Sequence, residues 1–176
     1  YYNITNNPSE ADFALVFISS PYSNNNGGGY DINDRKEGGN GYVPISLQYG
    51  TYTATEARPQ SIAAGDPVVD PTITNRSYLN KTSTASNTMD LRTVLNTREM
   101  MGDKPVIVVV NITRPMVFNE FESRVDGIIA RFGVTEQPVL DVISGKYEPS
   151  GLLPMQMPAN MSTVERQNED IPYDME

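Results

Sequence analysis

From Gly102 to Pro158 the chain reads GDKPVIVVVNITRPMVFNEFESRVDGIIARFGVTEQPVLDVISGKYEPSGLLPMQMP, and this stretch decides the fold. Pro105 leads into Val106–Val110, an unbroken β-branched run that suits a strand buried on both faces. Ile128–Phe132 (IIARF) reads as a further strand. Between them, Phe118–Val125 has the spacing of a short helix. Thr135–Ser144 reads as a helix with Pro138 in its first turn, Val139, Leu140, Val142 and Ile143 as its buried stripe, and Gly145 as its stop. Leu152–Met157 is expected to be a last short extended piece before a polar tail.

Working outward, Thr88–Met101 has helical spacing at Leu91, Val94, Leu95 and Arg98. Asn87 stands at the N-cap, Asp90 in the first turn and Gly102 at the C-cap. Further upstream, Phe13–Ile18 (FALVFI) is a short run that is apolar on both faces, again a buried parallel strand. Pro21–Asn40 is a long loop of Asn, Gly, Ser and Asp, and loops of that length are commonly functional. Tyr42–Tyr49 is expected to be extended, although Pro44 argues against a central strand. Residues 50–86 show no sustained period and read as an excursion pinned by Tyr52, Ile62, Ile73, Tyr78 and Leu79. Together these elements predict a single domain over residues 1–176, with a loop-rich insertion at about 45–87. Its fold is α/β: a three-layer sandwich around a largely parallel sheet, flavodoxin-like. In such sheets ligands bind beyond the carboxyl ends of the strands. That rule singles out the Ser19–Gly41 loop and the Asn111–Met116 turn.

Composition narrows the chemistry. The formal net charge is −9, and no basic run exceeds Arg35-Lys36. This charge disfavours nucleic acid and anionic membrane surfaces as partners, since both require clustered Lys and Arg. With no His and no Cys, histidine-based triads and the commonest catalytic zinc sites are excluded. Acid–base work at neutral pH then falls to carboxylates, Tyr or Lys. No apolar run approaches the roughly 20 residues of a membrane span. The chain opens at Tyr1-Tyr2 without an initiator Met, which suggests a piece of a longer polypeptide.

The order of elements from Gly102 to Pro158 resembles the C-terminal α/β-sandwich domain of glycoside hydrolase family 3. The most specific segments are Asp141-Val142-Ile143-Ser144-Gly145 and Pro149-Ser150-Gly151-Leu152-Leu153-Pro154. The first is similar to the family's Ala-Asp-Val-Leu-Phe-Gly helix, the second to its Pro-Ser-Gly-(Arg/Lys)-Leu-Pro segment. Ala11-Asp12 before an apolar strand fits the start of the same half-domain, while residues 45–87 carry no resemblance. Two strand-end segments depart from the pattern. Gly133-Val134-Thr135-Glu136-Gln137-Pro138 stands where the family has a Gly-rich turn. Asn111-Ile112-Thr113-Arg114-Pro115 replaces a Ser-Gly-x-Pro.

The resemblance implies an exo-acting retaining β-glycosidase of the β-glucosidase or β-xylosidase type, needing no cofactor, acting in the periplasm or outside the cell. Such enzymes work with two carboxyl groups about 5–5.5 Å apart. In many family members the Asp nucleophile lies on a (β/α)8 barrel, which this chain lacks. The acid/base Glu lies on the sandwich loop that follows the strand corresponding to Phe13–Ile18. This fragment alone is expected to be inactive. One family pattern, Pro-Tyr-x-Glu, aligns with Pro21-Tyr22-Ser23-Asn24, where an amide occupies the Glu position and cannot transfer a proton. Another, Glu-Gly before a Pro-containing apolar stretch, aligns with Glu37-Gly38-Gly39 ahead of Val43-Pro44-Ile45. The acid/base candidates are therefore Glu37, then Asp31, then Asp34, each of which would otherwise be a solvated loop charge. Tyr22, Asn24 and Tyr30 are the candidates for contacting a β-linked oligosaccharide or glycoside. Loop tyrosines more commonly serve as anchors.

Other patterns carry less. Gly27-Gly28-Gly29 lacks the Lys-Ser/Thr of a phosphate loop, and Asp31-x-Asn33-Asp34 lacks the Gly and distal Glu of a calcium loop, so no metal is expected. The five Asn-x-Ser/Thr sequons, at Asn3, Asn75, Asn80, Asn111 and Asn160, are what an Asn-rich chain produces by chance. A family 3 sandwich ordinarily has another strand and helix before Ala11-Asp12, so the domain is expected to be incomplete on its N-terminal side. Phe13–Ile18 would then have an unpaired edge, implying a homo-oligomer or a covering segment. Two other readings remain: a sandwich that has lost its acid/base and only shapes a sugar site or mediates assembly, favoured by Asn24, and a stand-alone flavodoxin-like binding module.

Overall fold

The structure is a computed structural model describing residues 2–23, 32–38, 41, 46–56 and 78–167, with Asp34 and Arg35 described by their backbone alone. The chain divides into two compact units. The first comprises Tyr1–Ser20, Met89–Pro115 and Asn119–Gln156; the second comprises Pro21–Thr88, Met116–Phe118 and Met157–Glu176.

The first unit is built on a three-stranded parallel sheet. Its strands are β1 (Ala14–Ser19), β4 (Val106–Asn111) and β5 (Gly127–Arg131), with β4 in the middle. Register runs Ala14 to Val106 and Ser19 to Asn111 on one side, and Ile107 to Gly127 and Asn111 to Arg131 on the other. Alternation places Val16, Ile18, Val108 and Val110 on one face, and all four are buried. The opposite face carries Phe17 and Val109, of which Val109 is buried and Phe17 is 45% exposed. The expectation that Phe13–Ile18 is buried on both faces therefore holds on one. The reason is position, since β1 is an edge strand among the described residues.

Helix α2 (Thr88–Met101) has the predicted bounds and buries Val94 and Met101, seven residues or two turns apart. Gly102 follows at φ +60°, the left-handed conformation that lets the chain leave the helix, and Lys104 N–H then returns to the Met101 carbonyl at 3.1 Å. The Lys104 ammonium donates to the carbonyls of Pro8, Ser9 and Ala11 at 3.0, 2.8 and 2.7 Å, fixing the chain that enters β1. Helix α3 (Glu136–Ile143) also forms as expected and stops at Gly145, φ +73°. Of its predicted stripe only Val139 is fully buried.

Two expected elements differ. Phe118–Val125 forms no α-helix but a single 3-10 turn at Glu122–Arg124 beneath a fully buried Phe121. Val117 N–H is taken by the Leu47 carbonyl at 2.9 Å and Asp126 N–H by the Val106 carbonyl at 2.9 Å. The residues flanking the segment are thereby bonded to distant parts of the chain, and the segment itself closes as one turn. Leu152–Met157 joins no sheet; Leu152 is 95% exposed, and Pro154 has no N–H for a ladder.

The second unit holds α1 (Ile32–Lys36), the two-residue strands β2 (Tyr52–Thr53) and β3 (Thr82–Ser83), and α4 (Met161–Arg166). β2 and β3 pair antiparallel at the base of the excursion, and two threonine hydroxyl pairs reinforce them: Thr53 with Thr82 at 2.7 Å, Thr51 with Thr84 at 2.8 Å. Of the expected pins, Tyr52 and Tyr78 are half-buried and Leu79 is exposed, while Ile62 and Ile73 lie outside the described residues. Residues 47–50 form bends rather than an extended strand; residues 42–45 lie outside the description. The tail is not simply polar. Asn160 caps α4 by accepting Thr163 N–H at 2.9 Å, and Met161 is buried. The Glu165 carboxylate of α4 accepts the backbone N–H groups of Thr55 (3.0 Å) and Glu56 (2.6 Å), tying the helix to the turn after β2. Among the described residues no helix is long and apolar enough to cross a membrane.

Candidate functional site

The carboxyl ends of β1, β4 and β5 form one row, Ser19–Asn111–Arg131, fixed by the register of the sheet. Each end is tied. Ser19 N–H donates to Asp90 Oδ2 at 3.0 Å, so a carboxylate in the first turn of α2 occupies the outer side of β1. Ser20 N–H donates to the Asn111 carbonyl (3.0 Å), and Ile112 N–H to the Arg131 carbonyl (2.8 Å), carrying the ladder one residue past the strands. Ser20, 1% exposed, accepts Thr113 N–H on Oγ at 3.2 Å and shares a hydroxyl hydrogen bond with Thr113 Oγ1 at 3.0 Å. The first β1 and β4 turns are thus locked together where an α/β sheet usually meets its ligand.

Arg131 ends the row with a side chain only 19% exposed. Its Nη1 donates to Glu136 Oε1 at 3.2 Å and to the Val134 carbonyl at 3.4 Å, and its guanidinium lies 5.8 Å from the centre of the Phe17 ring. The Glu136 carboxyl is held below its ordinary range, first by its own backbone N–H and then by Arg131. On α3, Asp141 is likewise lowered, by Lys146 at 2.8 Å and by Gln137. The Asp of the motif that carries the family resemblance therefore has a structural task on this helix.

Of the residues singled out from sequence, two have described side chains. In the second unit Tyr22 N–H donates to Asn87 Oδ1 (3.1 Å) and the Tyr22 carbonyl accepts Ser86 N–H (2.7 Å), while the residue remains 44% exposed. Its backbone is pinned and its ring is available. Glu37 follows α1 in a turn closed by its N–H on the Asn33 carbonyl at 2.9 Å, with its side chain exposed. Asn24, Tyr30 and Asp31 lie outside the described residues, as does the side chain of Asp34. Sequence reading passed over Arg131, placing it inside an apolar strand. The signal was present, because a charged residue inside IIARF had to sit at a strand end or be paired.

The family profile of the glycosyl hydrolase family 3 C-terminal domain matches residues 3–175, and the chain belongs to this family. Among its relatives, it is 25% identical to beta-glucosidase C of Emericella nidulans over 177 residues, which cover 99% of this chain and 20% of that protein. It is 37% identical over 70 residues to a probable beta-glucosidase C of Aspergillus oryzae, covering 40% of this chain and 11% of the relative. Over the same length it is 30% identical to a periplasmic beta-glucosidase/beta-xylosidase of Dickeya chrysanthemi, again 40% and 11%. The chain thus spans about a fifth or less of the length of the relatives it matches. No solved structure matches it.

Proposed function

We propose that this chain is the second domain of an exo-acting retaining β-glycosidase, forming one wall of the sugar site and supplying the general acid/base from the loop after β1. The observation that carries this reading is the family match over residues 3–175, joined by the names of the relatives. The nucleophile, an Asp, would come from a (β/α)8 barrel elsewhere in the polypeptide. In the first step the acid protonates the departing glycosidic oxygen while the nucleophile forms a glycosyl-enzyme. In the second the same group, now a carboxylate, takes a proton from the attacking water. Glu37 is the favoured acid/base, followed by Asp31 and Asp34. Its exposed position in a short turn leaves its carboxyl free to reach a substrate. A location outside the cytoplasm goes with this reading, supported by the relative named periplasmic.

The test uses the full-length enzyme with Glu37, Asp31 and Asp34 changed singly to Ala, assayed on aryl β-glycosides of good and poor leaving groups. Loss of the acid/base lowers the rate far more on poor leaving groups, and azide restores turnover. If none of the three behaves so, the second reading stands: a domain that shapes the site without a proton-transferring residue. Asn24, an amide at the position of the family's Glu, favours that alternative.

A further inference from the structure

We propose that Asn87 is a positioning residue for the loop after β1, holding Tyr22 so that the loop sets out in one direction; the inference rests on the glycosidase reading above. Asn87 is a polar side chain with only 9% exposure. Its Oδ1 accepts Tyr22 N–H at 3.1 Å, across 65 residues of sequence. The residue before it completes the grip, since Ser86 N–H donates to the Tyr22 carbonyl at 2.7 Å. Pro21, whose ring fixes φ, is fully buried. Pro21, Tyr22, Ser86 and Asn87 all belong to the second unit, so the clamp is internal to it.

This clamp goes beyond what the sheet requires. The ladder between β1 and β4 is carried past the strands by Ser20 N–H on the Asn111 carbonyl. Tyr22 lies beyond that bond and in no strand, yet both its main-chain groups are taken. Its ring is 44% exposed, so the path of the main chain is fixed here without burying the side chain. A buried amide bonded to the backbone at this point sets the angle at which the following residues depart, and Asp31, Asp34 and Glu37 all follow it. Proton-transferring groups need such support, because a displacement of about 1 Å can cost on the order of a hundredfold in rate.

The experiment compares Asn87→Ala, Asn87→Ser and Asn87→Asp with Glu37→Ala, Asp31→Ala and Asp34→Ala, all in the full-length enzyme. It measures kcat/KM on aryl β-glycosides of good and poor leaving groups, and the thermal midpoint. A misplaced acid hardly affects a good leaving group, which departs with little help from a proton. Asn87→Ala should therefore lower kcat/KM by roughly tenfold on the poor leaving group and by less than about threefold on the good one. Asn87→Asp, which keeps an oxygen for the Tyr22 N–H, should return both to within about threefold of the parent. A structural role alone would lower the thermal midpoint and the active fraction, and so scale both substrates equally. Asn87→Ser, whose shorter side chain draws its oxygen away from Tyr22, takes the place of the Ala variant should that fail to fold. Equal loss on both substrates, or no loss, while one loop carboxylate shows the acid/base signature overturns the positioning role alone. If no loop carboxylate shows that signature, or the parent enzyme cleaves no β-glycoside, the reading beneath it falls and this role with it.

Discussion

Arg98 Nη1 and Asp126 Oδ2 meet at 2.8 Å, and the same carboxylate oxygen accepts the backbone N–H of Val106, also at 2.8 Å. Through its other amino group Arg98 donates to the carbonyls of Gly102 and Lys104. One pair of side chains thus holds the end of α2, the start of β4 and the entry to β5. The arginine is mostly buried, at 16% side-chain exposure. Its replacement by Lys, which keeps the charge but not the planar fork, should cost about 1–2 kcal/mol in chemical denaturation. An unchanged urea midpoint would show that the junction is held by backbone bonds alone.

Asp126 itself gives a pH test. Its carboxyl is held below the ordinary range, chiefly by the Val106 N–H and then by Arg98. A depressed folded-state pKa contributes stability that is present above the unfolded value and lost as pH falls through the folded one. The parent chain should therefore lose stability on acidification below about pH 4. Asp126→Asn should be less stable at pH 7 and show a shallower decline over that window. Parallel curves for the two proteins would remove this linkage.

Gly102 and Gly127 predict opposite responses to the same substitution. A Cβ at Gly102 meets nothing within 4 Å, but φ is +60°, so Ala there pays only for conformation, about 1 kcal/mol. At Gly127 the nearest atom is Ile107 Cγ1 at 3.8 Å, ordinary contact, and Ala should be neutral or mildly stabilising. Thermal melts of the two variants check the order.

Glu165 should behave as an anchor for the turn at Thr55 and Glu56. Glu165→Gln removes the charge that accepts both backbone N–H groups, and amide exchange at Thr55 and Glu56 should quicken by roughly tenfold or more. Exchange in β4, within the other unit, should stay as it was. Uniform quickening across both units would mean global destabilisation.

Asn160→Ala removes the cap of α4 and should cost about 1 kcal/mol, whereas Asn160→Asp should cost little. Circular dichroism with urea denaturation distinguishes the two.

What could be read beforehand was whatever local chemistry causes. Val106–Val110 is β-branched throughout, and α2 lies between Asn87, a residue type that favours helix starts, and a left-handed Gly102, so both were legible with close bounds. The parallel sheet and the α/β class followed from their order. Phe118–Val125 was misread because its outcome depends on partners at Leu47 and Val106, far away in the chain. β2 and β3 escaped because two-residue strands show no period, and α4 because a six-residue polar helix is marked only by its cap. The candidate site divides along the same line. Glu37, Asp31 and Tyr22 were named through family resemblance and need no geometry to name. The Ser19–Asn111–Arg131 row exists only once the strands are paired, and no spacing along the chain announces it.

The pairing of Ala14 with Val106 has a kinetic meaning as well. β1 must wait for a partner synthesised roughly ninety residues later, whereas β4 and β5 are separated by only about twenty. Closing so long a loop costs entropy before any ladder bond forms, although each doubling of length adds only about 0.6 kcal/mol. α2, β4 and β5 should therefore assemble first as a nucleus, with β1 arriving late. The excursion between β2 and β3 would then burden the folded state little while delaying its formation, and the last strand to dock is the one that leads into the proposed acid/base loop.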